Sequence, residues 1–264
     1  MGYLIVILIG LVQGVAEFLP ISSSGHLSVL YDIFDVTDNT ILLSIIMHLA
    51  TLLAVVIVYY EDILLLLKNP FCRTNKLLVV STIPTVIIVL IFEVLFGGVF
   101  GGSIVIIGFL ITAIILLISE KINKNATSIA SDILDMNISY KSAVLIGLTQ
   151  GIATIPGISR SGSTIATALM CKVNKSDATK FSFLMSIPII VASFCYELLK
   201  IKEATFDFGT MELFVGFVVA FFSGLFAIKY MINFIKNKKL YIFSIYLVIL
   251  STILIICKYL LQLW

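Results

Sequence analysis

Charge is what this sequence has least of. Only 12% of its 264 residues are Asp, Glu, Lys or Arg, where a soluble domain carries about 25%. The 17 basic and 15 acidic residues leave a formal charge of +2. That is too little for a polyanion-binding surface, so no nucleic-acid partner is expected. Histidine occurs only as His26 and His48, and arginine only as Arg73 and Arg160. The four cysteines, Cys72, Cys171, Cys195 and Cys257, show no CxxC or Cys/His spacing. They are expected to be buried, small apolar side chains, not disulfides or metal ligands. A secretory leader is not expected either, because the first apolar run, Tyr3 to Val12, lacks a basic start and leads into Gln13, Gly14 and Glu17. What is abundant is apolar: 60% of residues are hydrophobic and the mean hydropathy is +1.17. A water-soluble globular enzyme and a disordered chain are both excluded.

A helix needs roughly 20 apolar residues to cross a bilayer. Six stretches reach that length: Ile41 to Tyr60, Leu77 to Phe96, Ser103 to Ser119, Phe181 to Leu199, Met211 to Phe234 and Leu240 to Leu261. Two more are interrupted. Tyr3 to Leu30 contains Gln13, Glu17, Pro20 and Ser22-Ser23-Ser24-Gly25-His26, and Tyr140 to Met170 contains Gln150, Pro156, Gly157 and the run Ser159 to Thr164. Such backbone at membrane depth is tolerated only where it is buried in protein or lines a watery cavity, so both stretches read as re-entrant hairpins.

The two interruptions are copies of one another. Shifting the first by 137 positions makes eleven of the eighteen residues from 8 to 25 identical, including Gln13-Gly14 on Gln150-Gly151 and Ser24-Gly25 on Ser161-Gly162. The expected fold is an all-α integral membrane protein of six transmembrane helices plus two re-entrant hairpins. Residues 1–139 and 140–264 each form a hairpin followed by three spans. Three is odd, so the repeat is inverted, and broken helices of this kind meet near the midplane.

With that topology Lys68, Arg73, Lys76, Lys121, Lys124, Lys141, Lys172, Lys175, Lys180, Lys236, Lys238 and Lys239 share one side, against Lys200, Lys202 and Lys258 on the other. The basic side is then cytoplasmic and both termini lie outside. Asp32, Asp35 and Asp38 read as a solvated outer loop.

The chemistry concentrates in the interruptions. Gln13 and Glu17 are one helical turn apart, and a carboxylate at membrane depth marks a functional site. Ser22, Ser23, Ser24 and Gly25 can offer hydroxyls and backbone N–H groups to an anion, with His26 beside them as a proton-transfer group. His48 reads as a packing residue within the first span. Arg160, among Ser159, Ser161, Gly162 and Thr164, presents a planar fork to phosphate oxygens at the start of a half-helix. Pairing of Arg160 with Glu17 is compatible with that role. An apolar cavity beside a phosphate pocket suits a lipid phosphate.

These elements resemble the bacitracin-resistance type of undecaprenyl-diphosphatase. Its (E/Q)xxxE element looks like Gln13 to Glu17, its P-x-S-S-(S/T)-G-H element like Pro20 to His26, and its P-G-x-S-R-S-G-x-T element like Pro156 to Thr164. Some members carry Glu where this chain has Gln13, so a mechanism needing two carboxylates there is not expected here. The resemblance implies hydrolysis of undecaprenyl diphosphate to undecaprenyl phosphate and inorganic phosphate at the outer face of a bacterial plasma membrane, recycling the lipid carrier of cell-wall synthesis. It implies bacitracin resistance, the peptide competing by binding the substrate, and a divalent cation, Mg2+ or Ca2+. The sequence gives that cation no ligand set, Glu17 being one conceivable donor, and it leaves a homodimer open. Expected catalytic residues are Glu17, Ser23, His26 and Arg160, with Ser23 as nucleophile or a water in its place. Expected substrate-binding residues are Gln13, Ser22, Ser24, Gly25, Gln150, Ser159, Ser161, Gly162 and Thr164. The competing reading is a polyprenyl-phosphate flippase or anion transporter built on the same repeat. The type-2 phosphatidic acid phosphatases share only Ser-Gly-His and need a second histidine that His48 does not supply.

Overall fold

The computed structural model describes residues 2–36, 40–96, 102–122, 129–200, 209–237 and 239–260. Among the described residues every regular element is helical, as expected where each segment must satisfy its own backbone polar groups. The first half consists of α1 (Gly2–Phe18), α2 (Ser23–Ile33), α3 (Thr40–Val58), α4 (Tyr60–Lys68), α5 (Arg73–Phe96) and α6 (Gly102–Ile122). The second consists of α7 (Tyr140–Ile152), α8 (Arg160–Met170), α9 (Lys175–Lys200), α10 (Thr210–Asn237) and α11 (Tyr241–Ile255), which continues as a π-helical turn, Ile256–Leu260.

Five helices, α5, α6, α9, α10 and α11, are long and apolar enough to cross a membrane, and α3 with α4, bent by 75°, makes a sixth where that pair counts as one span. Five of the six expected spans correspond to those five helices, and the one expected over Ile41 to Tyr60 falls on α3. Helix α4 falls in the connection that the expected spans Ile41 to Tyr60 and Leu77 to Phe96 leave between them, where no helix is expected. Its nine residues carry Glu61 and Asp62 in the first turn and Lys68 in the last, charges placed to suit the helix dipole. Asp32 ends up within α2 and Asp35 in the turn after it. Asp38, Lys124, Lys202 and Lys238 lie outside the described residues.

The halves exchange partners. Helix α1 lies along α10 and α7 along α5, while α3 meets α9 and α6 meets α11. Lipid tails are as apolar as leucine, so helix association here relies on close packing and buried hydrogen bonds. Gly10 and Gly147, equivalent by the 137-residue shift, supply both. A Cβ on Gly10 would sit 2.6 Å from the carbonyl oxygen of Gly216, and one on Gly147 2.0 Å from that of Ser81. Ser223 Oγ donates to Gly10 O at 3.4 Å and Thr85 Oγ1 to Gly147 O at 2.8 Å. Large apolar side chains such as Leu90, Val94, Phe222 and Phe226 cover the outer faces of α5 and α10, where lipid is their solvent.

One end of the bundle is tied together by polar contacts. Lys180 Nζ pairs with Asp62 Oδ2 at 2.8 Å. Arg73 Nη2 donates to Ile138 O at 2.9 Å, Leu240 N to Glu120 Oε2 at 3.0 Å and Ser131 N to Asp177 Oδ1 at 3.0 Å. The helix ends so joined carry the described basic residues that the sequence groups together. All four cysteines are free, but the expectation that they are buried does not hold: Cys72, Cys171 and Cys257 are half-buried and Cys195 is exposed. In a span, an exposed thiol still meets an apolar medium.

Candidate active site

Both short-helix pairs break in the same way. Helix α1 stops at Phe18 before Pro20, and Ser22 caps α2 by accepting from Gly25 N at 3.3 Å. Helix α7 stops at Ile152 before Pro156, and Ser159 caps α8 by accepting from Gly162 N at 3.0 Å. Ser–Ser pairs repeat as well, Ser22 with Ser24 and Ser159 with Ser161, each at 3.3 Å. The first-turn N–H groups of a helix have no intrahelical acceptor, and here residues from two such starts line one cavity. Ser22 adopts φ 70 and ψ 99, a conformation that costs a non-glycine residue about 1–3 kcal/mol.

Between the two helix starts lies a cavity of about 240 Å³. Its polar wall includes Glu17, Ser22, Ser23, Ser24, Ser159 and Arg160, and its apolar wall includes Ile45, Ile158, Ile189, Ile190 and Phe194. Glu17, 7% exposed, is the hub. Its Oε1 accepts from Arg160 Nη2, while Oε2 accepts from Ser23 Oγ at 2.5 Å and from Gln13 Nε2 at 3.2 Å. Arg160 Nη1 is buried and makes no hydrogen bond, so half of the guanidinium fork is held by the carboxylate and half is free for an anion. A serine hydroxyl donating to a fixed carboxylate beside a guanidinium has the geometry that a nucleophile–base pair next to an oxyanion site requires.

The sequence model of the family described as "Bacitracin resistance protein BacA" matches residues 6–253. The chain belongs to the BacA family. Curated relatives named "Undecaprenyl-diphosphatase" include one from Alkaliphilus metalliredigens, 42% identical over 95% of this chain and 96% of its own. Another, from Carboxydothermus hydrogenoformans, is 37% identical over 96% of both chains. A third, from Methanococcus maripaludis, is 38% identical over 93% of this chain and 96% of its own.

In this BacA member the residues singled out in the sequence fall into two groups. Glu17, Ser22, Ser23, Ser24, Ser159 and Arg160 meet at the cavity. The others stand behind it. Gln13 is fully buried against Glu17, and Gln150 donates to Thr85 Oγ1 at 3.3 Å in the α5–α7 contact. Gly25 is buried where a Cβ would collide with the Phe109 ring, and Gly162 N is spent on the Ser159 cap. Ser161 Oγ donates to Leu19 O at 3.0 Å, and Thr164 Oγ1 lies 2.6 Å from Ser182 Oγ. His26 departs most from expectation, because its ring lies outside the cavity with both nitrogens engaged. Conversely, His48, read as packing, lines the cavity with Nε2 3.8 Å from Glu17 Oε2. Thr154, also in the wall, is the 137-residue equivalent of Glu17 and could have been found from the repeat.

The donors do not fit a divalent cation held by the protein. Among the described residues no three His, Cys, Asp or Glu side chains cluster as a metal site. Glu17, the one carboxylate in the cavity wall among the described residues, already accepts three hydrogen bonds, one of them from a cation.

Proposed function

We propose that this BacA-family chain hydrolyses undecaprenyl diphosphate to undecaprenyl phosphate and inorganic phosphate. The observation that carries the proposal is the meeting of Glu17, Ser23 and Arg160 in one cavity, with polar groups on one wall and apolar side chains on the other. A diphosphate suits the first wall and a prenyl chain the second.

The chemistry runs in two steps. Ser23 Oγ attacks the terminal phosphorus as its proton passes to Glu17 Oε2. The anhydride P–O bond breaks and its electron pair leaves with the lipid monophosphate. Arg160 Nη1 and the N-terminal amides of α2 and α8 hold the oxygens on which charge builds. Water then attacks the phosphoserine, the P–Oγ bond breaks as Ser23 Oγ takes back the proton held on Glu17, and inorganic phosphate departs as H2PO4− with both of the water's protons. No step is routed through a metal.

The inverted repeat of hairpins and spans is supported by the exchange of partners between halves and by the matching Ser22 and Ser159 caps. The site opening belongs to the outer face. Counting about 1.5 Å per helical residue, Ile189 to Phe194 lie about 21–29 Å along α9 from Lys175, at the basic end. The positive-inside rule puts that end in the cytoplasm, with both termini and the cavity outward. Bacitracin then competes for the same lipid outside the cell, and the setting is the bacterial plasma membrane. The chain reconstituted in liposomes with polyprenyl diphosphate tests the reading. Release of phosphate and appearance of lipid monophosphate, both abolished by Glu17→Ala, support hydrolysis. Movement of lipid between leaflets with the diphosphate intact supports the transporter instead.

A further inference from the structure

Ser23 is presented by the left-handed residue Ser22, and something must hold that turn. Both polar hydrogens that reach the Ser22 carbonyl come from His26, its backbone N–H at 3.3 Å and its Nδ1 at 2.7 Å. A carbonyl oxygen only accepts, so Nδ1 bears the proton and Nε2 is left to accept. The Tyr246 hydroxyl of α11 meets Nε2 at 2.7 Å. The two rings are stacked at 5.8 Å between centroids and 4° between planes, and Phe109 packs edge-on against His26 at 5.1 Å. The imidazole borders an apolar pocket with Val12, Val29 and Leu250 that is separate from the cavity holding Glu17 and Ser23. It has no free nitrogen to offer a substrate.

We propose that His26 and Tyr246 form a positioning strut: Tyr246, from the last helix of the second half, orients the His26 ring, and His26 clamps the strained Ser22 carbonyl so that the Ser23 hydroxyl stays on Glu17. His26 moves no proton in the reaction. This deepens the hydrolase reading above and rests on it. The residue next to a fixed carbonyl inherits its direction, and displacement of a reacting group by about 1 Å costs on the order of 100-fold in rate.

Asparagine separates positioning from proton transfer, since its Nδ2 donor occupies nearly the place of Nδ1 but does not titrate. With the purified full-length chain releasing phosphate from polyprenyl diphosphate, His26→Ala should lower kcat about 100-fold at nearly constant KM. His26→Asn should recover kcat to within about tenfold of wild type, with an unchanged pH profile. Tyr246→Phe should lose about fivefold in kcat in the wild-type background and nothing further on top of His26→Ala. His26→Asn as inactive as His26→Ala, or a pH limb lost with the imidazole, overturns the strut in favour of proton transfer. Losses that multiply in the Tyr246/His26 double variant overturn the link between the two residues. Monodispersity in detergent is followed for each variant, and should His26→Ala not fold, the Asn and Phe variants decide alone. An active wild type with these contrary results sinks the strut only, whereas an inactive wild type sinks the hydrolase reading with it.

Discussion

Replacing Arg160 by Ala should damage stability and activity together, and a second substitution should separate the two. Glu17 is 7% exposed, and Arg160 Nη2 is its partner on Oε1, while Ser23 and Gln13 both donate to Oε2. Removing the guanidinium leaves Oε1 with no donor and the carboxylate without its counter-ion. Stranding one partner of a buried ion pair costs about 3–5 kcal/mol. At about 2–4 °C per kcal/mol for a chain of this size, the midpoint for thermal loss of monodisperse protein in detergent should fall by about 6–20 °C. Adding Glu17→Gln removes the stranded charge and should restore most of that loss. Activity should not return. Without the Nη1 donor, kcat/KM for phosphate release should drop about 10²–10³-fold, and the double variant should not regain it. An unchanged midpoint in Arg160→Ala, or a double variant no more stable than the single one, would refute the pairing of the two halves through this bond.

If Ser23 is the nucleophile, Ser23→Ala should lower kcat by at least about 10³-fold, and near-normal turnover would assign the attack to water. Gly147→Val should abolish stable folding, because the first new carbon already falls 2.0 Å from Ser81 O; a variant that melts like wild type would show that the α5–α7 contact yields. Calorimetric titration of Mg2+ or Ca2+ into the substrate-free chain should show no binding tighter than about millimolar, since the cavity offers one carboxylate that already has three donors. A saturable micromolar site would contradict that fit.

The convergence of Glu17 and Arg160 was legible because the repeat is written in residue types that composition alone does not produce, Gln-Gly and Ser-x-Ser-Gly at one constant shift. The spans were legible from their length. Helix α4 was not, since its nine residues, charged at both ends, lie past the apolar run that ends at Tyr60. The role expected of His26 failed for a local and a distant reason. Four residues after Ser22, its ring reaches back to its own helix cap, and its other partner, Tyr246, is 220 positions away. His48 sits in an apolar span, where periodicity does not tell a face toward lipid from a face toward a cavity. The same ambiguity hid the exposure of Cys195.

The account stands most directly on phosphate release from a long-chain polyprenyl diphosphate by the purified wild-type chain, measured beside Glu17→Gln under identical conditions. It predicts one inorganic phosphate for each lipid monophosphate formed by wild type, and turnover near background for the variant, whose amide cannot take the Ser23 proton. Equal release by the two proteins, or none by either, would contradict it.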